Sequence, residues 1–201
     1  MTAPPCTSED LAAAAGGDEE AFARLFRAVQ PLLLRYLRTL AREAHEDLAA
    51  DTWVQVVRGL GGFRGDLPAF RSWVFTIAHH RYVDHVRGTL RRPPLLDEAQ
   101  ALDLPADRQV EDQVEEVVST EAALDLIGRL PPDQAEVLVL RVVADLDVAA
   151  TAAVVGKSRG AVRVLAHRGL RRLASILDSA DRQPPVVGVT QRGVPTVTGE
   201  S

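Results

Sequence analysis

Apolar side chains recur at intervals of three and four residues through most of this chain, the period of an amphipathic α-helix. The longest stripe consists of Phe22, Leu25, Phe26, Val29, Leu33, Tyr36, Leu37 and Leu40. Similar patterns predict helices at about 46–60, from the end of a loop at 63–68 to about 87, and again beyond residue 120. No segment alternates strongly enough to predict a strand. The sequence therefore predicts an all-α protein.

Proline and charge patterns divide these helices into two groups. Pro93 and Pro94 are followed by an acidic segment that lacks aromatic residues and is too weakly periodic to build a core. The 201 residues suffice for two small helical domains joined by a flexible linker. We predict a flexible N-terminus at 1–17, a helical domain at 18–92, an acidic linker at 93–119, a helix-turn-helix domain at 120–177 and a disordered tail at 178–201.

The net charge of −5 conceals a strong segregation of charge along the chain. Residues 97–121 contain nine acids and one base, Arg108, whereas residues 157–172 contain six bases and no acid. The average charge therefore does not exclude a nucleic-acid partner, because the basic segment forms its own surface.

The basic segment has the pattern of a DNA-reading helix. Asp147 is a predicted N-cap for a short helix at 148–155, Gly156 a predicted stop, and Ser158 the N-cap of a helix to about 177. Apolar residues of this second helix share one face, and its arginines occupy the remaining arc. Two helices with this tight turn have helix-turn-helix spacing, and the second can enter a major groove about 12 Å wide. A solvated basic helix is the alternative, but six bases without an acid favour nucleic acid.

A second candidate surface lies on the helix that ends near residue 87. Trp73, Phe75 and Tyr82 alternate there with arginines and histidines. Aromatic faces beside bases are typical of proteins that hold single strands, because unstacked bases can stack on them. Trp73 shares a stripe with Phe70 and Ile77, so core packing is the favoured interpretation for that residue.

Several other classes of protein are excluded or disfavoured. Cys6 is the single cysteine, so neither a disulfide framework nor a cysteine metal site is expected. We predict a cytoplasmic protein without membrane insertion, because no window approaches eighteen apolar residues and the acidic start is unlike a signal peptide. No nucleophile elbow, phosphate loop or HExxH spacing occurs. We therefore expect neither enzymatic activity nor a catalytic residue, metal or cofactor. The disfavoured alternative is that His79, His80, Asp84 and His85 act as acid-base groups or metal ligands.

The order of these pieces resembles the extracytoplasmic-function (ECF) class of bacterial sigma factors. The segments that carry the resemblance are DEEAFARLF at 18–26, EDLAADTWVQVVRGL at 46–60, FRGDLPAFRSWVFTIAHHRYVDHVR at 63–87, LPPDQAEVLVLR at 130–141 and VVGKSRGAVRVLAHRGLRRL at 154–173. The resemblance implies a region-two domain, a linker and a region-four domain. It also implies three partners: core RNA polymerase, promoter DNA as duplex and as melted non-template strand, and a restraining anti-sigma protein.

The resemblance assigns site residues to three surfaces. The helix at 46–60 would dock on RNA polymerase through Glu46, Asp47, Asp51, Trp53 and Val57, with core packing as the alternative for the last two. The melted minus-ten strand would be held by a loop with Phe63, Arg64 and Asp66 and by a helix with His79, His80, Tyr82 and Arg87. The minus-thirty-five element would be read by Ser158, Arg159, Arg163, His167, Arg168, Arg171 and Arg172.

The sequence is consistent with two functions from different classes. The leading interpretation is an initiation factor that binds core RNA polymerase, recognises both promoter elements and promotes opening of the duplex. The alternative is a stand-alone helix-turn-helix regulator that binds duplex DNA without joining polymerase. The aromatic and basic first domain argues against that alternative.

Overall fold

The structure is a computed structural model that describes residues 6–91 and 114–181. Within these two ranges every regular element is a helix and none is a strand, which confirms the all-α prediction. The helices are α1 (Ser8–Ala15), α2 (Glu19–Leu40), α3 (His45–Leu60), α4 (Leu67–Arg91), α5 (Val114–Gly128), α6 (Pro132–Val142), α7 (Val148–Val154) and α8 (Arg159–Asp181). We call α1–α4 the N-terminal half and α5–α8 the C-terminal half.

Helix α2 is the centre of the N-terminal half, because its apolar stripe is buried along its whole length. Leu25, Leu33 and Leu37 are fully buried, and α1, α3 and α4 all pack on this helix. The ring of Tyr36 packs edge-on against Phe75 of α4, with ring centroids 5.3 Å apart. The predicted stripe therefore forms the core that holds the neighbouring helices in place.

The segment predicted as a flexible N-terminus contains a helix, because Ser8–Ala15 is helical. A capping box starts α1: the Thr7 N–H donates to Asp10 Oδ2 at 2.8 Å, and the Asp10 N–H donates to Thr7 Oγ1 at 3.2 Å. Leu11 and Ala14 are buried against α2, and Arg24 of α2 donates to Asp10 Oδ1 at 2.7 Å. The apolar residues of α1 are one leucine followed by alanines, a stripe too weak to reveal this helix in the sequence.

Acidification is expected to release α1 from α2. The hydrogen bond from the Thr7 backbone, and then the bond from Arg24, hold the pKa of Asp10 below its ordinary value of 3.8. A carboxyl whose pKa is lowered on folding stabilises the fold above its unfolded pKa, and that stabilisation is lost as pH falls through the folded pKa. NMR shifts of α1 should therefore change in a step below pH 3.8. Asp10→Asn should abolish that step, and a step that persists in this variant would contradict the assignment.

The C-terminal half is built around α6, which begins with Pro132 at its first turn as predicted. Four consecutive apolar residues, Val137, Leu138, Val139 and Leu140, are buried there against α5, α7 and α8. Helix α5 begins at Val114, inside the segment predicted as linker, and α8 continues to Asp181, beyond the predicted end at 177. The rest of the predicted linker and tail lies outside the described residues.

The two halves pack against each other through α2 and α4 on one side and α5, α6 and α7 on the other. Glu136 of α6 is buried in this contact, and its carboxylate faces Tyr36 and His79 of the N-terminal half. Exposed ion pairs join the edge: Arg38 lies 3.2 Å from Glu121, and Arg42 lies 3.2 Å from Asp125.

Candidate nucleic-acid interface

The turn between α7 and α8 fixes the direction of the basic helix. Gly156 has a φ of +64°, a left-handed conformation that glycine adopts without a steric penalty. The N–H of Lys157 donates back to the carbonyl of Ala152 at 3.0 Å, which closes the end of α7. Ser158 then caps α8, since the N–H of Ala161 donates to its Oγ at 3.1 Å. The predicted roles of Asp147 and Ser158 as N-caps are both confirmed.

Helix α8 lies directly on α6 because Gly169 has no side chain. A Cβ at position 169 would lie 2.7 Å from Leu138 Cδ1 and 3.3 Å from its Cγ, closer than packed carbons approach. Val162 on the same face is fully buried. The buried face of α8 therefore seats the helix firmly and points its opposite face to solvent.

The solvent face of α8 carries the residues predicted to read duplex DNA. All seven of these residues are exposed: Ser158, Arg159, Arg163, His167, Arg168, Arg171 and Arg172. Within the two described ranges, none of the five arginines has a carboxylate partner within 4.0 Å. Their charge is available to a phosphate or a guanine edge.

The loop before α4, which is predicted to capture the melted strand, is held by ring packing and hydrogen bonds. Phe63 stacks on Trp73 at 5.0 Å between ring centroids and meets Phe70 edge-on at 5.7 Å. Asp66 is the N-cap of α4, because the N–H of Ala69 donates to its Oδ1 at 2.9 Å. Arg64 is exposed, and its guanidinium donates to the carbonyls of Gly61 and Phe63. These bonds hold the loop in one shape beside the first turn of α4.

The predicted strand-binding residues of α4 fall into an open group and a covered one. His80 and Arg87 are exposed, and Tyr82 is half-buried. Burial, and then the nearby Glu136 carboxylate, raise the pKa of Tyr82 above its ordinary value, so its hydroxyl keeps its proton. His79 is covered by the C-terminal half, where its Nδ1 lies 2.6 Å from Glu136 Oε1.

The described residues contain no group of three or more side chains able to hold a metal ion.

Helix α3 presents the face predicted to contact polymerase. Glu46, Asp47 and Asp51 are exposed, and Val57 is 58% exposed beside them along the helix. Val54, which the sequence pattern did not single out, is 48% exposed on the same face. Its position three residues after Asp51 is the signal that could have identified it.

Trp53 requires a correction, because its side chain is a core residue. Only 7% of Trp53 is exposed, and its ring packs on Phe22 and Phe26 at centroid distances of 5.8 and 4.8 Å. Its indole N–H donates to Gln30 Oε1 at 2.5 Å. The core alternative is correct for Trp53, whereas Val57 is exposed.

Comparison with known families identifies both halves. The family model described as Sigma-70 region 2 matches residues 25–92, and the model described as Sigma-70, region 4 matches residues 120–173. The fold and these two matches define a transcription factor of the sigma-70 type. No helix in the described part of the chain is long and apolar enough to cross a bilayer.

Individual relatives identify the branch of that class. The chain is 35% identical over 167 residues to the ECF RNA polymerase sigma factor BldN of Streptomyces coelicolor, covering 82% of this chain and 63% of BldN. It is 34% identical over 178 residues to the ECF sigma factor ShbA of Streptomyces griseus, covering 81% of this chain and 90% of ShbA. The chain therefore belongs to the ECF RNA polymerase sigma factors, which are transcription initiation factors.

Solved structures show the same fold. CnrH, in a complex with the cytosolic domain of CnrY, superposes with a TM-score of 0.60 at 23% identity, covering 87% of this chain and 98% of CnrH. RpoE of Bartonella quintana, in a complex with the anti-sigma factor NepR, gives a TM-score of 0.61 at 22% identity, covering 78% and 96%. These two likenesses confirm the helical fold.

Proposed function

We propose that this chain binds core RNA polymerase, recognises minus-ten and minus-thirty-five promoter elements and promotes opening of the duplex. The observation that supports it most directly is the exposed arginine face of α8, seated on α6 through Gly169 and Val162. A helix held in this way can lie in a major groove with its basic face toward bases and phosphates. Because the chain belongs to the ECF RNA polymerase sigma factors, we propose that α8 contacts DNA while the chain is bound to RNA polymerase.

Polymerase docking is assigned to the exposed face of α3. Glu46, Asp47 and Asp51 provide negative charge at one end, and Val54 and Val57 provide an apolar patch next to it. A small apolar patch bordered by charge is typical of a protein-binding surface. Trp53 supports this face from behind by fixing α3 on α2.

Capture of the melted minus-ten strand is assigned to the loop at 63–66 and the exposed side of α4. Arg64, His80 and Arg87 offer positive or polar groups to a strand, and Tyr82 offers a ring edge. Holding an unstacked base offsets part of the few kcal/mol that extrusion from the duplex costs. Asp66 and Phe63 serve this site by shaping the loop.

An anti-sigma protein is proposed as a further partner, and the protein is proposed to act in the cytoplasm, where bacterial RNA polymerase works. One structural neighbour, RpoE, is a sigma factor in a complex with the anti-sigma factor NepR, and another, CnrH, is in a complex with the cytosolic domain of CnrY. Initiation itself requires no covalent chemistry from this chain, since polymerase joins the nucleotides.

Promoter-specific initiation in vitro tests the proposed function. Core RNA polymerase is incubated with a pool of promoter fragments, with and without the purified chain, and transcript starts are mapped. We expect defined new starts only when the chain is present. Binding to duplex DNA without polymerase association or new starts would instead indicate a stand-alone regulator and overturn the assignments on α3 and α4.

A further inference from the structure

The contact between the two halves contains one buried carboxylate. Glu136 is only 6% exposed, although it belongs to α6, whose other buried residues are apolar. Its Oε1 accepts a hydrogen bond from the Tyr36 hydroxyl at 2.6 Å and lies 2.6 Å from His79 Nδ1. A buried carboxylate is tolerated only when polar partners replace its lost water. Both of these partners come from the other half of the molecule.

This arrangement makes the contact selective for one geometry. If the halves separate, Glu136, Tyr36 and His79 all exchange their protein partners for water. If the halves slide while still in contact, the carboxylate stays buried without partners, which is unfavourable. Burial, and then the Glu136 carboxylate, raise the pKa of Tyr36 well above its ordinary value, so the hydroxyl remains a donor. The exposed pairs at the edge, such as Arg38 with Glu121, are screened by solvent and contribute less.

The closed arrangement is incompatible with reading two promoter elements at once. The minus-ten and minus-thirty-five elements are about 25 base pairs apart, or about 85 Å at about 3.4 Å per base pair. Two touching domains of this size, each with a radius of gyration of about 12 Å, have centres only about 30 Å apart. The 22 residues between Arg91 and Val114 can span at most about 75 Å, which exceeds the roughly 55 Å between the facing surfaces of two such domains whose centres are about 85 Å apart.

The same contact covers part of the strand-binding helix. His79 lies on α4 next to the exposed His80, and its Nδ1 is occupied by Glu136 Oε1 at 2.6 Å. Arg71 of α4 is also drawn to the C-terminal half, 3.4 Å from the carbonyl of Ala144. The closed form therefore removes groups of α4 from DNA while the arginines of α8 stay exposed.

We propose that Glu136, Tyr36 and His79 form a latch that holds the free protein closed, and that binding to polymerase and promoter opens it. This inference rests on the proposed function for its purpose, but the latch itself is a property of the free chain. Only the open form can engage polymerase and promoter fully. The apparent association constant is therefore the intrinsic constant multiplied by the fraction of protein that is open. The latch is thus a restraint within the chain that needs no second protein.

Distances between spin labels in the free protein test the latch. Labels are placed at the exposed positions 20 and 174, one in each half, in a Cys6→Ser background. We expect one narrow distance distribution for the unmodified latch. Glu136→Arg places a cation against His79 and should shift the distribution to longer and broader distances. Glu121→Arg, the same change at an exposed edge of the same contact, is the matched control and should shift it far less.

A second variant keeps the test valid if the charge reversal disturbs folding. Tyr36→Phe removes one donor and leaves the ring on Phe75, so it should shift the distribution in the same direction by a smaller amount. Helix content and tryptophan fluorescence verify that each variant is folded. A broad distribution before mutation, an unchanged one in both latch variants, or equal opening by Glu121→Arg would overturn the latch.

Binding to core polymerase supplies a second readout. Minor open states are typically populated at about 0.1–10%, so Glu136→Arg should bind core polymerase at least about tenfold more tightly. Because the distances are measured without polymerase or DNA, failure of the latch is distinguished from failure of the proposed function. If the chain starts no transcripts but the distances shift as expected, the latch stands and the function falls.

Discussion

Phe75→Ala is expected to lower the free energy of unfolding of the N-terminal half by about 3–5 kcal/mol, the usual cost of deleting a fully buried aromatic ring. Phe75 has no exposed surface and supports the ring of Tyr36 at 5.3 Å. The deletion therefore leaves a cavity between α2 and α4, the second of which carries the proposed strand-binding residues. A loss this large is a considerable part of the stability of a small domain.

Urea unfolding followed by tryptophan fluorescence measures this loss. Both tryptophans, Trp53 and Trp73, belong to the N-terminal half, so the signal reports that half alone. Leu90→Ala is the matched control, because Leu90 lies on α4 with 81% of its surface exposed and should change stability little. Equal midpoints for Phe75→Ala and the unmodified protein would show that Phe75 is not a core residue.

Replacing Arg159, Arg163 and Arg171 together by alanine is expected to weaken binding of the holoenzyme to the upstream promoter element roughly a thousandfold. The three share one side of α8 at spacings of four and eight residues. Each base or phosphate contact is worth about 1–3 kcal/mol, and about 1.4 kcal/mol is tenfold. If the contacts are to phosphates, the slope of log affinity against log salt should fall by about 0.9 for each arginine lost.

Fluorescence anisotropy with labelled promoter duplex, at several salt concentrations, measures both quantities. Arg27→Ala is the control, since Arg27 is exposed on α2 and its guanidinium donates to the carbonyl of Ala23 in its own helix. It should leave affinity and slope nearly unchanged. An affinity within twofold of the original for the triple variant, with an unchanged slope, would mean that this side of α8 does not face DNA.

The parts of this molecule that depend on neighbouring residues could be predicted from the sequence. The division of α8 into an apolar and a basic face follows from helical periodicity, and the caps at Asp147 and Ser158 follow from local hydrogen bonding. The central stripe of α2 is equally predictable, because eight apolar residues at helical spacing form a continuous face that only a helix can bury.

The parts that depend on distant residues could not be predicted. Glu136 is surrounded by apolar neighbours in the sequence, but its burial is set by Tyr36, 100 positions earlier, and by His79. The packing of Phe63 on Trp73 and the capping role of Asp66 also give a structural purpose to a loop assigned to strand capture. Charge and residue type indicated candidate segments, whereas contacts between segments decide which of their side chains are exposed.

The arginine face of α8 stays exposed while His79 is covered, and this sets an order of events. On the proposed function and latch, the closed protein would search duplex DNA through α8 alone, held by charge and released by salt. Once α8 is bound and the latch opens, the short connection confines α4 to the neighbourhood of the same DNA. Its effective concentration there reaches the millimolar range typical of short linkers. A weak hold on the melted strand then suffices, because the second contact has become intramolecular.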